Sequence, residues 1–167
     1  MRETTPEQRA REFRDTRKTL HLATSDSDGL PEASYAPYVR LGADFYIYIS
    51  EISQHTKNLL SRRAASVMFI EDEAISKNMF ARIRLTMDAY VHIIARKSEL
   101  WHLVMDAFKE KFGDFFDQVR PLEDFILFRL TPFNARYVED IAKAYRLDAN
   151  LTTAEHIRDG GHRPEKS

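Results

Sequence analysis

Between residues 82 and 93 the chain alternates without a break. Ile83, Leu85, Met87, Ala89, Val91 and Ile93 fall on one side, and Arg82, Arg84, Thr86, Asp88, Tyr90 and His92 on the other. A period of two sends successive side chains to opposite faces of an extended backbone. The stretch is therefore a half-buried strand, apolar inside and polar outside, and it commits the fold to a sheet with one covered face.

Neighbouring segments supply the rest of that sheet. Residues 20–24 run into Asp26-Ser27-Asp28-Gly29, a turn, and the chain resumes with Glu32-Ala33-Ser34-Tyr35. Gly42-Ala43-Asp44 leads into Phe45-Tyr46-Ile47-Tyr48-Ile49-Ser50, which is dense in β-formers. Further strands are predicted at 66–70 and 125–130, with Tyr137-Val138 as a partner for the latter. Helices interrupt them. Residues 6–18, rich in Glu, Arg and Gln around Phe13, read as a solvated helix. Ser53 is placed to cap a short helix reaching about Arg62. Leu100, Trp101, Val104, Met105, Phe108 and Phe112 recur at helical spacing from about Ser98, and Gly113 ends the run. The prediction is an α+β protein around a small barrel, divided as an N-terminal helix (1–18), a barrel (19–140) and a C-terminal tail (141–167). Exposed strand edges and abundant aromatics predict a homodimer.

Composition excludes several kinds of chemistry. The chain has 167 residues, enough for one domain with a real core, and a formal net charge of -1. That balance gives no reason to expect nucleic acid or a membrane surface as partner. No apolar run approaches a membrane span, and the first residues lack a secretory apolar stretch, so the predicted location is cytoplasmic. Zero Cys excludes disulfides, thiolate metal sites, a Cys nucleophile and covalent c-type haem attachment. No nucleophile elbow, P-loop or dinucleotide fingerprint occurs, and the six His show no tight metal spacing. Glu71-Asp72-Glu73 reads as a solvated turn after a strand rather than a cation cluster.

The residues that invite chemistry are few. Arg82 and Arg84 share one strand face, where two guanidinium groups repel unless Asp88 or an anionic ligand intervenes. His55 and Lys57 open a short helix whose N–H groups suit an anion, although an ordinary helix start explains them equally well. His92 shares the face of Arg84, while His21 and His102 read as packing or surface residues. In the tail, Thr152-Thr153-Ala154-Glu155 fits a capping box that starts a two-turn helix ending at Gly160. His162 and Arg163 follow on a double glycine, placed to offer an imidazole to a metal bound elsewhere, though most terminal His residues do nothing.

Taken together these segments resemble the HugZ/HutZ-type haem-utilisation proteins, a branch of the pyridoxamine-phosphate-oxidase-like FMN-binding split-barrel superfamily. The resemblance runs in order through Arg17-Lys18-Thr19-Leu20, Leu22-Ala23-Thr24, Asp28-Gly29-x-Pro31 and Ser34-Tyr35-Ala36-Pro37. It continues through His55-Thr56-x-Asn58-Leu59, Ile70-Glu71-Asp72-Glu73 and Phe80-Ala81-Arg82-x-Arg84-Leu85. Asp124-Phe125-x-Leu127-Phe128-Arg129-Leu130 and Gly161-His162-Arg163 complete it.

The resemblance implies a homodimeric antiparallel Greek-key split barrel with flanking helices, binding haem between protomers. His162 takes the place of the axial iron ligand. Asp124 takes that of its carboxylate partner from the other subunit, an arrangement that fixes the imidazole tautomer. Arg84 joins Asp124 among the catalytic positions, and Thr24, His55, Arg82 and Arg163 fall among the cofactor-binding ones. The implied activity is oxidative opening of haem to release iron, with O₂ and an external electron donor. An FMN-dependent oxidoreductase of the wider superfamily and a haem carrier without turnover are the alternatives. One departure stands out. Where family members have a Gly-Phe-Gly-type stretch, this chain reads Asp140-Ile141-Ala142, which removes backbone freedom beside the implied ring.

Overall fold

A computed structural model describes residues 4–157. Its strands are β1 (Thr19–Ser25), β2 (Pro31–Pro37), β3 (Val39–Leu41), β4 (Asp44–Ser50), β5 (Ala64–Ile70), β6 (Arg84–Ile94), β7 (Phe125–Asp140), β8 (Lys143–Leu147) and β9 (Ala154–His156). The helices are α1 (Pro6–Asp15), α2 (Gln54–Ser61), α3 (Glu99–Phe112) and the single turn α4 (Phe116–Val119). The main path of the sheet is β2-β1-β5-β6-β7-β4-β3, with β8 and β9 added beyond β7 and every pairing antiparallel. The sheet coils until β2 approaches β4, so the architecture is the α+β split barrel.

The alternating stretch is the centre of this sheet. Leu85, Met87, Ala89 and Val91 of β6 are buried and meet Leu22, Ile47, Phe69, Phe128 and Leu130 inside the barrel. Each such side chain contributes about 1.5–3 kcal/mol by leaving water. A second apolar layer forms outside, where Trp101, Val104, Met105 and Phe108 of α3 cover Tyr46 and Tyr48 of β4. Both helix ends follow local rules. Ser98 Oγ accepts the Trp101 amide at 3.2 Å, and Gly113 takes the left-handed φ of 75° past the end of α3.

Three expectations need correction. First, Tyr137 and Val138 do not form a partner strand; they continue β7, which runs sixteen residues through Pro132. Pro132 has no N–H for the ladder, yet the register shift opposite Asp88 and Ala89 accommodates it. Asn134 Oδ1 accepts the Asp88 amide at 3.2 Å and keeps the bulge satisfied.

Second, α1 stops at Asp15 and is not simply solvated. Thr5 and Gln8 form a capping box, Ala10 and Arg14 are buried, and Phe13 packs against the barrel core. Arg9 pairs with Glu139 of β7, and the buried Tyr38 hydroxyl donates to the Arg14 carbonyl at 2.8 Å. Burial pushes the Tyr38 phenol up to about 12. The helix closes one end of the barrel.

Third, Thr152-Thr153-Ala154-Glu155 starts no helix. Residues 154–156 are a strand paired with β8, and Arg146 faces Glu155 across it. Asp148 is the reason. Its Oδ1 accepts the Thr152 and Thr153 amides at 2.7 and 2.6 Å, so the Thr152 hydroxyl donates to Asp148 instead of capping. Leu151, buried and at φ 54°, turns the chain between them.

Candidate functional site

The outer aromatic layer does not close completely. Between β4, the ends of β2 and β7, and the α3–α4 corner lies a cavity of about 400 Å³. Its walls are Tyr48, Phe108, Phe112, Phe116 and Phe125, with Phe115 and Tyr35 exposed at the opening. The Phe108 and Phe116 rings stack with centroids 5.1 Å apart, which leaves a flat apolar wall. A concave apolar space with few polar groups is the usual form of a small-molecule site.

Those polar groups come from the ends of β2, β4 and α2. Ser50, Ser53 and His55 line the rim. His55 Nδ1 lies 3.0 Å from Ser34 Oγ, and Ser34 donates its only proton toward the Leu22 carbonyl at 3.3 Å. Which ring nitrogen carries the proton in the neutral imidazole sets the direction of the His55–Ser34 bond. Burial favours that neutral form and lowers the His55 pKa, with Glu32 opposing. Ser50 Oγ donates to Asp124 Oδ2 at 3.0 Å, and the Glu51 amide donates to the Asp124 carbonyl at 2.7 Å. Asp124 is exposed, so its carboxylate stands in water beside an apolar wall.

Thr24 acts one step behind this rim. It is buried, and its Oγ1 accepts Asn58 Nδ2 at 3.0 Å, which also reaches Glu32 at 3.2 Å. Asn58 accepts from Gln54 at 2.9 Å. This chain of bonds ties α2 to β1 and fixes the helix that carries His55. Lys57 on the same helix is exposed, and Ser53 sits at the cap position without a side-chain bond to the helix.

Arg82 and Arg84 lie elsewhere. Arg82 precedes β6 and binds Glu71 and Glu73: its Nε donates to the Glu71 carbonyl at 3.1 Å and its Nη1 to Glu73 Oε1 at 3.1 Å. Those carboxyl-bearing residues form the solvated turn expected of them, with Asp72 Oδ1 accepting the Ala74 amide at 2.8 Å. Arg84 donates to the Arg82 carbonyl at 3.2 Å. Asp88 is not their counter-ion; it pairs with Arg136 at 3.2 Å across the sheet. Arg84 opposes Val138, whereas Ile94 at the other end of β6 opposes Leu127, three residues past Asp124. Ten residues of strand rise separate these ends, roughly 33 Å of extended chain. Within one chain, Arg82 and Arg84 do not meet Asp124 or His55. Arg82 instead lines a polar groove with Arg17, Lys18 and His21.

The remaining histidines are peripheral. His92 is exposed opposite Arg129, and His102 is exposed with its ring 5.1 Å from Trp101. Among the described residues no three His, Asp or Glu converge as a metal site. His162 and Arg163 lie outside the described residues. The Asp140-Ile141-Ala142 departure is a tight β7–β8 turn, with Asp140 Oδ1 accepting the Ile141 amide at 2.7 Å and no left-handed residue in it. Glycine is not required there.

Three residues of the site carried no functional assignment in the sequence reading. Ser34 and Ser50 are common strand residues whose relevance is a matter of which side chain stands opposite. Arg96 binds backbone carbonyls that no motif marks.

The model of the pyridoxamine 5'-phosphate oxidase family matches residues 6–139. Heme oxygenase HutZ of Vibrio cholerae is 42% identical over 151 residues, covering 90% of this chain and 86% of that protein. A crystal structure of HutZ from V. cholerae, described as a heme storage protein, superposes with a TM-score of 0.76 at 43% identity over 79% of this chain and 94% of that one. Campylobacter jejuni ChuZ gives 0.87 at 26% identity over 99% of this chain and 68% of the other. With a barrel, an aromatic cavity and these relatives in view, the chain belongs to the pyridoxamine 5'-phosphate oxidase family and, within it, to the HutZ type.

Proposed function

We propose that this protein binds haem in a site shared by two copies of the chain and degrades it oxidatively, releasing iron, with O₂ and an external electron donor. The observation that carries the reading is Asp124, an exposed carboxylate held by Ser50 and Glu51 beside an aromatic cavity. A flat apolar wall suits a macrocycle, and a fixed carboxylate suits the N–H of an axial imidazole. Haem, when bound, supplies the iron and the oxidisable ring. The relative named a heme oxygenase supports turnover, and the solved relative described as a heme storage protein supports carriage as the second reading.

In this reading His162 ligates the iron and Asp124 of the other subunit accepts its second ring N–H. Thr24 and His55 shape the rim through α2. Arg82, Arg84 and Arg163 bring positive charge toward the propionates, and Arg84 orients the ring. The separation of Arg84 from Asp124 along β6 supports a homodimer, because two antiparallel copies bring opposite ends of the sheet together.

Hemin and FMN titrations with absorption spectra test the reading. A Soret band is expected with hemin, and His162→Ala should change the axial-ligand spectrum. Stoichiometric FMN binding without hemin binding would sink the proposal in favour of a flavin enzyme. Reduction of the haem complex under O₂ with catalase present should bleach the Soret band; a band that persists on demonstrably reduced iron indicates carriage.

A further inference from the structure

Residues 120–124 join α4 to β7 and carry Asp124, yet they form no helix or strand of their own. The carbonyls of Arg120, Pro121 and Leu122 lie past α4 and outside any strand ladder, so they need donors from elsewhere. One side chain from the end of β6 supplies them. Arg96 Nη1 donates to the Leu122 carbonyl at 2.9 Å and to the Tyr48 hydroxyl at 3.0 Å. Its Nη2 donates to the Pro121 carbonyl at 3.1 Å, with the Arg120 and Phe125 carbonyls at 3.5 Å from the guanidinium. The Tyr48 hydroxyl lies 3.1 Å from both the Arg120 and Leu122 carbonyls, repeating the clamp from β4. The guanidinium rests over the Trp101 ring at 5.3 Å, which fixes the plane of the fork.

We propose that Arg96, acting with Tyr48, is the positioning residue for the Asp124 carboxylate. The clamp binds carbonyls on both sides of Asp124, so the backbone that presents the carboxylate has little freedom to rotate. Beyond the clamp, Glu51 and Ser50 are the residues that hold Asp124 among the described residues, one on its carbonyl and one on its side chain. Lysine does not replace arginine here, because a single ammonium nitrogen cannot stand in for the two separate nitrogens that reach the Leu122 and Pro121 carbonyls. The inference rests on the haem reading for its functional meaning, but not for its geometry.

The test has two arms, on Arg96→Ala, with Tyr48→Phe as the milder variant if the first does not fold. Arg62→Ala serves as a control, since Arg62 clamps the Asp26 and Ser27 carbonyls of the β1–β2 turn in the same manner. In ligand-free protein, hydrogen exchange of the Glu51 amide should accelerate about tenfold in the Arg96 variant, the scale of one lost charge-assisted bond, and not in the Arg62 control. In the hemin complex, the ferrous iron–histidine stretching band should move in the direction that Asp124→Asn moves it, with no further shift in the double variant. A lowered melting temperature with unchanged Glu51 exchange and an unchanged iron–histidine band would reduce Arg96 to a structural clamp and overturn the proposal. If wild type itself shows no iron–histidine band, the haem reading fails, and the exchange arm alone decides the role of Arg96.

Discussion

Two loops of this protein solve the same problem with opposite charges. Residues 120–124 present carbonyls that belong to no helix or strand, and a cation gathers them: Arg96. Residues 149–153 present amides and hydroxyls as the chain folds back through the left-handed Leu151, and an anion gathers them: Asp148. The first loop carries Asp124. The second launches β9, the last described strand before His162. The difference lies in titration. A guanidinium keeps its charge at any pH the protein survives, whereas a carboxylate loses its charge in acid. The clamp beneath Asp124 thus keeps its charge in acid, and the clamp that starts the tail does not.

The largest effect that separates the two is expected from Asp148→Ala. It strips a charged acceptor from three amides and two hydroxyls at once. A loss of about 2 kcal/mol is expected, with the partial exposure of the loop limiting the cost. Melting temperature should fall by roughly 4–8 °C. Glu51 exchange, which reports the other loop, should not change. If Asp148→Ala does loosen Glu51, the loops are one unit and the comparison fails. Asp148→Asn, which keeps one oxygen, should fall between.

Acid provides the second test. Burial works against the Asp148 carboxylate, but bonds from Thr153 and Thr152 outweigh it and lower its pKa to about 2, from an ordinary value of 3.8. A folded pKa below the unfolded one means the native state holds its proton less tightly. The resulting stability is fully present above about pH 4 and disappears as pH falls toward 2. Urea melts at pH 5, 4 and 3 should show wild type losing stability over that window, and Asp148→Ala losing less. Parallel curves for the two proteins would mean that other carboxylates carry the acid response. Solvent screening keeps the difference modest.

The same pair of loops shows what the sequence made legible. The period of two at 82–93 is a statement about each residue's own face; β6 appears at 84–94 with that alternation, except that Ile93, expected inside, is exposed. β7 was harder, because Pro132 marks a strand end in local terms while Asn134 and the bulge opposite Asp88 absorb it in three dimensions. The tail was misread for a related reason. Thr152 and Glu155 do match a capping box, but Asp148, four residues earlier, captures the Thr152 amide and hydroxyl that the box would use. Asp124 was named through family resemblance alone, whereas His55 stood out first as the start of a short helix suited to an anion and joined the cofactor site through the resemblance. Arg96 left no trace at all, since its carbonyl acceptors lie 24 to 29 residues away and are backbone atoms shared by every residue type. Pattern reading finds side chains that repeat; it does not find a side chain whose partners are carbonyls brought near by the fold.

The smallest effect is expected at Ser50, and it sharpens the comparison most finely. Ser50 Oγ is the side-chain contact on Asp124, at 3.0 Å, and the carboxylate is exposed. Removing the hydroxyl lets water take its place, so Ser50→Ala should cost under about 1 kcal/mol in a thermal melt. Its backbone is held by β7, where Ser50 opposes Phe125, and that pairing survives the substitution. Glu51 exchange should therefore remain as in wild type, unlike in Arg96→Ala. What Ser50→Ala frees is the carboxylate's rotation, not the loop beneath it. In the hemin complex the iron–histidine band should broaden or move less than in Arg96→Ala. An equal shift in both variants would assign the placement of Asp124 to the side-chain bond instead of the carbonyl clamp. The contrast between a loop held by its backbone and a carboxylate held by one hydroxyl would then reverse.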